Sequence, residues 1–135
     1  MTPTRVFDFL YYQQKNGAIA NALNYKQSGL WKGFSTVEVI QIVRELSLGL
    51  LASGLKAGDK VAIVSPNRPE WLITDVAVQM TGAVLTPLYP TISPHEMEYI
   101  LNEAEVRILF IASKELYDRF KPAFDKVPTL EHVYS

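Results

Sequence analysis

The stretch VAIVSPNRPEW, residues 61–71, decides the fold class. Four apolar residues, Val61 to Val64, run into Ser65, and a turn with two prolines leads at once into Glu70 and Trp71. A short apolar run bounded by turn residues reads as a buried strand. Asn67 stands three residues before Glu70, a capping-box spacing, and Pro69 falls in the first helical turn, where its missing N–H costs nothing. The stretch therefore predicts a strand that ends in a capped, proline-started helix. In α/β proteins such a corner often cradles a phosphate, which needs glycines so that the backbone can approach the anion. No glycine lies between residues 59 and 81, Pro66 and Pro69 remove two donors, and Glu70 repels an anion. The corner is read as structural.

From this corner toward the C-terminus, strand and helix alternate. Strands are predicted at Val61–Ser65, Val84–Leu88, Arg107–Ala112 and Leu130–Tyr134. Helices are predicted at Glu70–Thr81, Pro94–Glu103 and Lys114–Val127, with Pro122 bending or dividing the last. Such alternation favours a parallel sheet with right-handed crossovers. The helix at 70–81 is apolar on most sides, through Trp71, Leu72, Ile73, Val76, Ala77, Val78 and Met80. A helix of that kind needs more than one covering layer.

Toward the N-terminus the pattern differs. Val6, Phe7, Leu10 and Tyr11 fall at helical spacing, which predicts a short helix over 4–15 ended by Asn16 and Gly17. Two short strands are predicted within 19–34, around the turn Gln27-Ser28-Gly29. Ser35 and Glu38 have the S-x-x-E form of a capping box, and a long amphipathic helix follows through Val39, Ile40, Val43, Leu46, Leu50 and Leu51. Gly54 is its expected left-handed stop. The fold class is thus α/β: a partial parallel sheet with flanking helices, preceded by a helix and a short β-hairpin. The expected organisation is a single incomplete domain over 1–135, with helix, hairpin and long helix in 1–59 and a βαβαβαβ half-domain in 60–135.

Composition narrows the function classes. The 135 residues suit one domain, 48% are hydrophobic and 20% charged, and the formal net charge is −1. That balance offers no basic field for nucleic acid. The absence of cysteine excludes disulfides, thiolate metal sites and cysteine nucleophiles. The first residues, MTPTRVFDFLYYQQKNG, do not read as a signal peptide, because Arg5, Asp8 and Gln13 interrupt the apolar run. No apolar run approaches the roughly 20 residues of a membrane span. An intracellular protein is the simplest expectation.

Candidate chemistry is sparse. GLLASGLK, residues 49–56, has the look of a phosphate-binding loop but lacks a Ser or Thr after its lysine and lies in a helix. No G-x-G-x-x-G occurs. His95 and His132 are isolated, and Glu96, Glu98, Glu103 and Glu105 read as the polar side of a helix. The stretch TPLYPTISP, residues 86–94, is more informative. It follows the carboxyl end of a predicted strand, where open α/β sheets place ligand loops. Tyr89, Thr91 and Ser93 offer hydroxyls, while Ser93 and Pro94 equally suit a plain helix start.

The order of motifs resembles the opening of the adenylate-forming enzymes, the superfamily of acyl-CoA synthetases, luciferases and adenylation domains. FSTVEVIQIVRELSLGLLASGLKAGDKVAIVSPNRPEW, residues 34–71, is similar to that family's (T/S)-Y-x-E-L … G-D-x-V-A … N-x-P-E-(W/F). VQMTGAVLTPLYPTISPHEMEYILNEAEVRILFI, residues 78–111, is similar to its G-A-V-x-x-P-L-x-P … E-(L/I)-x-Y-I-L. PLYPT, residues 87–91, resembles the long-chain fatty acyl-CoA synthetase branch. Val37 stands where the family usually has an aromatic residue, and Met80-Thr81 where Lys-Ala is common.

The resemblance implies an ATP-dependent, AMP-forming ligase that joins a fatty acid to CoA, with ATP, Mg2+ and CoA as its small molecules. It implies that the chain is the early part of a large N-terminal domain, inactive by itself. The family's Ser/Thr/Gly-rich loop ending in P-K-G, and its later acidic, arginine and lysine motifs, would lie in a remaining C-terminal part. It places Tyr89, Thr91 and Ser93 on a loop near the CoA nucleotide. A cytoplasmic enzyme peripheral to the membrane, and a homodimer through an exposed sheet edge, are further expectations. Two alternatives stand beside this one. One is another adenylate-forming enzyme, either a fatty acyl-AMP ligase or a short-chain or aryl synthetase. The other is a non-catalytic α/β module, such as a stand-alone interaction domain or a flavodoxin-like nucleotide binder.

Overall fold

The computed structural model describes residues 2–135. Eleven elements follow one another: α1 (Asp8–Gly17), β1 (Leu23–Gln27), β2 (Leu30–Phe34), α2 (Thr36–Ala52), β3 (Lys60–Val64), α3 (Pro69–Met80), β4 (Val84–Leu88), α4 (Pro94–Glu103), β5 (Val106–Ile111), α5 (Lys114–Phe124) and β6 (His132–Tyr134). They group into two compact units. One holds residues 2–55 and Arg68–Thr81, the other Lys56–Asn67 and Gly82–Ser135.

In the first unit β1 and β2 form an antiparallel hairpin closed by Ser28 and Gly29. Both turn residues have positive φ, 51° and 82°, the conformation that matches the twist of a two-residue hairpin. The side chain of Ser35 accepts a bond from the Glu38 N–H, and the Glu38 carboxylate accepts one from the Ser35 N–H at 2.7 Å, so the capping box is complete. At the other end, Leu55 N–H donates to Leu50 O, and Gly54 N–H donates to Leu51 O, with Gly54 at φ +88°. This pair of bonds is a Schellman stop, which glycine tolerates and a β-carbon does not favour. Val39 and Val43 of α2 pack against Ile73, Val76 and Ala77 of α3. Ser35→Ala is expected to destabilise the protein by about 1 kcal/mol, read from a shift in urea midpoint at constant slope.

Two boundaries in this unit differ from expectation. α1 begins at Asp8, not Thr4, because Asp8 turns its carboxylate back to accept bonds from the N–H groups of Thr4 and Arg5. Those two residues thus satisfy their donors outside the helix. The helix also continues through Gly17, which has no left-handed φ.

The start of α3 is the main local correction. Its N-cap is Arg68, with no side-chain cap bond, and Pro69 is the first helical residue. Asn67 therefore lies one residue outside the capping position expected for it. Glu70 does not reach back to Asn67; its carboxylate accepts bonds from the Arg68 guanidinium at 2.8 Å and 3.0 Å. A charge-assisted bond two residues away outcompetes the weaker reach to a backbone N–H.

In the second unit the sheet order is β4-β3-β5-β6 and all pairs are parallel. α4 and α5 supply Met97, Leu101 and Phe120 to one core with Ala62, Val64, Leu109 and Ile111 of the strands. Val61 and Ile63, on the alternate face of β3, are buried as well. A strand buried on both faces reads as a continuous apolar run, which is what residues 61–64 are. α5 stops at Phe124, three residues before the expected end. Beyond it the bonds shorten to i→i−3, from Lys126 N–H to Ala123 O and from Val127 N–H to Phe124 O. Pro122, inside the last turn, lacks the N–H that would bond the Asp118 carbonyl, so the ladder is already weakened there.

A bulge sits between β3 and β5. Lys60 pairs with Val106 and Val61 with Ile108, so Arg107 is the extra residue. The Arg107 guanidinium donates to Asp59, which precedes β3, and to both oxygens of Glu131, which precedes β6, at 2.9 Å and 2.8 Å. Bulges re-aim side chains in this way. One cation thus ties together the amino ends of three adjacent strands.

Candidate functional site

The carboxyl ends of the parallel strands carry three connections: residues 65–68 after β3, 89–93 after β4 and 112–113 after β5. Parallel α/β sheets present their ligand loops at this end.

The connection after β3 is closed on itself. Ser65 is buried, and its hydroxyl donates to the Pro66 carbonyl at 2.8 Å. Val64 O accepts the Ala112 N–H at 3.0 Å, which joins this corner to the end of β5. Residues 65–67 thus spend the Ser65 hydroxyl internally, lose one N–H donor at Pro66 and contain no glycine that would let the backbone approach an anion.

The connection after β4 is open. Tyr89 is 80% exposed, and Thr91 and Ser93 are exposed too. Pro87, Pro90 and Pro94 leave the segment short of N–H donors. Its single backbone bond within 89–93 runs from Ile92 N–H to Tyr89 O at 3.3 Å. The Ser93 hydroxyl is not free for a ligand in the way that Thr91 is. It accepts the Glu96 N–H at 3.1 Å, while Glu96 accepts the Ser93 N–H at 2.7 Å, a second complete capping box. The Ser93 N–H and then its hydroxyl hold the Glu96 carboxyl below its ordinary range. Glu96 thus serves as a cap, not as an acid.

The loop's remaining anchors come from α5. Arg119 donates through Nη1 to the Pro90 carbonyl at 2.7 Å and through Nη2 to the Ile92 carbonyl. Its guanidinium carbon lies 4.8 Å from the centroid of the Phe120 ring, and Phe120 is wholly buried. Arg119 has no mark in the sequence beyond being one more charge on a polar helix face. Its partners are 27 and 29 residues away, so no local spacing announces them.

The other sequence candidates are dispersed. Gly49 lies inside α2 and Gly54 terminates it, so residues 49–56 form no phosphate loop. His95 is exposed in the first turn of α4, and His132 stacks on Tyr134 at 5.9 Å between ring centroids. Among the described residues, no three His, Asp or Glu side chains converge as metal ligands. The donor set does not suit Mg2+, and no residue is assigned to it. A separate, mainly apolar groove in the first unit is lined by Val6, Phe9, Leu10, Leu23 and Leu72, with Gln13 and Asn16 also at its wall.

Known proteins share the sequence pattern and the fold. The profile of the AMP-binding enzyme family matches residues 13–135. The long-chain-fatty-acid–CoA ligase FadD15 of Mycobacterium tuberculosis is 33% identical over 105 residues, covering 78% of this chain and 18% of that protein. A long-chain-fatty-acid–CoA ligase of Rattus norvegicus is 25% identical over 131 residues, covering 97% of this chain and 18% of that protein. The chain thus spans less than a fifth of the length of these curated relatives. The crystal structure of a long-chain-fatty-acid–CoA ligase from Archaeoglobus fulgidus superposes with a TM-score of 0.82 at 25% identity, covering 98% of this chain and 27% of that one. An anthranilate CoA ligase bound to anthranoyl-AMP superposes at 0.81 and 20% identity, covering 94% of this chain and 24% of that one, a likeness of fold alone.

Proposed function

The chain belongs to the AMP-binding enzyme family, and from that premise we propose that its protein activates a long-chain fatty acid with ATP and transfers it to CoA. The observation that carries this reading is the run of 33% identity to a long-chain ligase across 78% of the chain. The reaction balances in two steps. A carboxylate oxygen displaces pyrophosphate from the α-phosphorus of ATP, and the CoA thiol then displaces AMP from the acyl carbon.

Within that reaction residues 1–135 supply scaffold and one loop, and they do not activate an acid by themselves. The Ser65 hydroxyl, spent on the Pro66 carbonyl at the corner after β3, favours this division. Tyr89, Thr91 and Ser93 form the CoA-side loop. The exposure of all three and their place at the carboxyl edge of β4 favour the role. Tyr89 and Thr91 meet the nucleotide through their side chains, and Ser93 holds the loop's exit by capping α4.

The test is a ligase assay on the full product of the gene that encodes this chain, with ATP, CoA and fatty acids of graded length. Long-chain acids are expected to release pyrophosphate and yield acyl-CoA, and Thr91→Ala is expected to raise the apparent KM for CoA. Pyrophosphate release with aryl or short acids only would replace the substrate class. Acyl-AMP as the end product would replace the acceptor. No acid-dependent release at all would leave a binding module. Calorimetry on residues 1–135 alone is expected to show no binding of ATP, AMP or CoA tighter than about 1 mM. Micromolar binding would overturn the division of labour.

A further inference from the structure

We propose that Arg119 is a positioning residue for CoA: its guanidinium clamps the carbonyls of Pro90 and Ile92 and so sets the orientation of Thr91 between them. The proposal rests on the CoA-side reading of residues 89–93 and assigns the device that shapes that loop.

Three observations carry it. First, the two carbonyls that Arg119 grips lie on either side of Thr91. The Pro90 carbonyl belongs to the peptide that enters Thr91 and the Ile92 carbonyl to the peptide that leaves Ile92, so the clamp spans the pair Thr91-Ile92 and restricts the backbone that carries the Thr91 side chain. Second, the Ser93–Glu96 capping box and the packing of Ile92 on the core hold the exit of the loop, but few bonds hold its middle. Prolines at 87, 90 and 94 remove donors, and the 3.3 Å bond from Ile92 to Tyr89 is the one backbone bond within 89–93. Third, the clamp is mounted on a firm base. α5 is pinned by Phe120, which is fully buried in the core shared with Met97, Leu101 and Leu109.

The geometry also explains the choice of residue. A guanidinium is a planar fork with separate N–H groups, so it can bridge two carbonyls at once. An ammonium carries its three donors on one nitrogen and does not reproduce a grip made by two separate nitrogens. A surface arginine that merely satisfies two carbonyls would stabilise the loop without affecting a ligand. The difference is measurable.

In the full gene product, Arg119→Ala is expected to raise the KM for CoA about tenfold while kcat changes less than twofold, the size expected for losing two exposed charge-assisted bonds. The KM for ATP and for fatty acid is expected to stay within twofold. Arg119→Lys is expected to keep the thermal midpoint but to recover less than half of the CoA effect. Arg44→Ala, which removes an exposed arginine from α2, serves as the charge control and is expected to leave all constants in place. Unchanged KM for CoA in Arg119→Ala, full recovery by lysine, or an equal rise for every substrate would each overturn the proposal.

Amide exchange reads the clamp without turnover. At Ile92, whose N–H donates to the Tyr89 carbonyl, it is expected to quicken about tenfold in Arg119→Ala, with Thr91, β4 and α4 unaffected. Unchanged exchange would dismiss the clamp itself. A wild-type protein without ligase activity, yet with the quickened exchange in the variant, would instead dismiss the assignment to CoA and the function proposed above.

Discussion

Phe120→Ala is expected to remove about 3–5 kcal/mol of stability. Phe120 is 0% exposed and is the largest of the fully buried side chains. It projects from α5 into the core formed by Ala62, Val64, Met97, Leu101, Leu109 and Ile111. Truncation removes the transfer free energy of the ring and leaves a cavity that rigid strands cannot collapse to fill. Against a domain stability of about 5–15 kcal/mol, the loss is a large fraction of the whole. Phe120→Leu keeps an apolar filling and is expected to lose less than half as much. Urea unfolding of both variants is the measurement, with midpoints compared at constant slope. A shift below about 1 kcal/mol for alanine would show that the core repacks. The change also reaches the site, because Arg119 is the next residue back along α5 and its grip on residues 90 and 92 depends on where that helix sits.

Much of the fold was legible because its signals are local. Ser35 with Glu38 and Ser93 with Glu96 are caps whose partners lie three residues apart, and both boxes form. β4 at Val84–Leu88 and α4 at Pro94–Glu103 have the bounds that their apolar run, Ser93 and Pro94 indicate. Gly54 takes the left-handed φ that a helix stop requires. The parallel order follows from strand-helix alternation, since each crossover returns the chain to the same end of the sheet.

The failures are also instructive. Asn67 and Arg68 compete for one capping position, and Pro69 settles it by taking the first helical place. A spacing rule cannot see that Glu70 prefers a guanidinium two residues away. Glu105 adopts φ +52° between α4 and β5, a turn that no glycine advertises. At the site, the loop of Tyr89, Thr91 and Ser93 was legible from its place after a strand. Its clamp was not. Arg119 meets residues 90 and 92 only because the sheet and α5 bring them together, and Arg107 meets Asp59 across 48 residues for the same reason. Nonlocal ion pairs leave no periodicity to read.

Arg107→Ala is expected to cost about 1–2 kcal/mol at neutral pH, and the difference from wild type is expected to shrink on acidification. The side chains of Arg107 and Asp59 are 25% and 23% exposed, so the figure is discounted from that of a dry pair. The Glu131 bond lies farther out, at 46% exposure of its carboxylate. In the fold, the Lys56 N–H and then the Arg107 guanidinium hold the Asp59 carboxyl below its ordinary value of 3.8. Arg107 is the first cause of the lowered value at Glu131, whose ordinary value is 4.5. Groups depressed in the fold contribute stability above their unfolded values and lose it as pH falls through the folded ones. The wild-type protein is therefore expected to lose this contribution below about pH 4.5, whereas Arg107→Ala has already lost most of Glu131's share and part of Asp59's. Lys56 still holds Asp59 in the variant, so some acid sensitivity persists. Urea midpoints at pH 7, 5 and 3 make the comparison. A gap that stays constant across that range would assign the effect to packing of the Arg107 stem rather than to its charge. No gap at pH 7 would mean that the bulge in β5 holds the three strand ends without it.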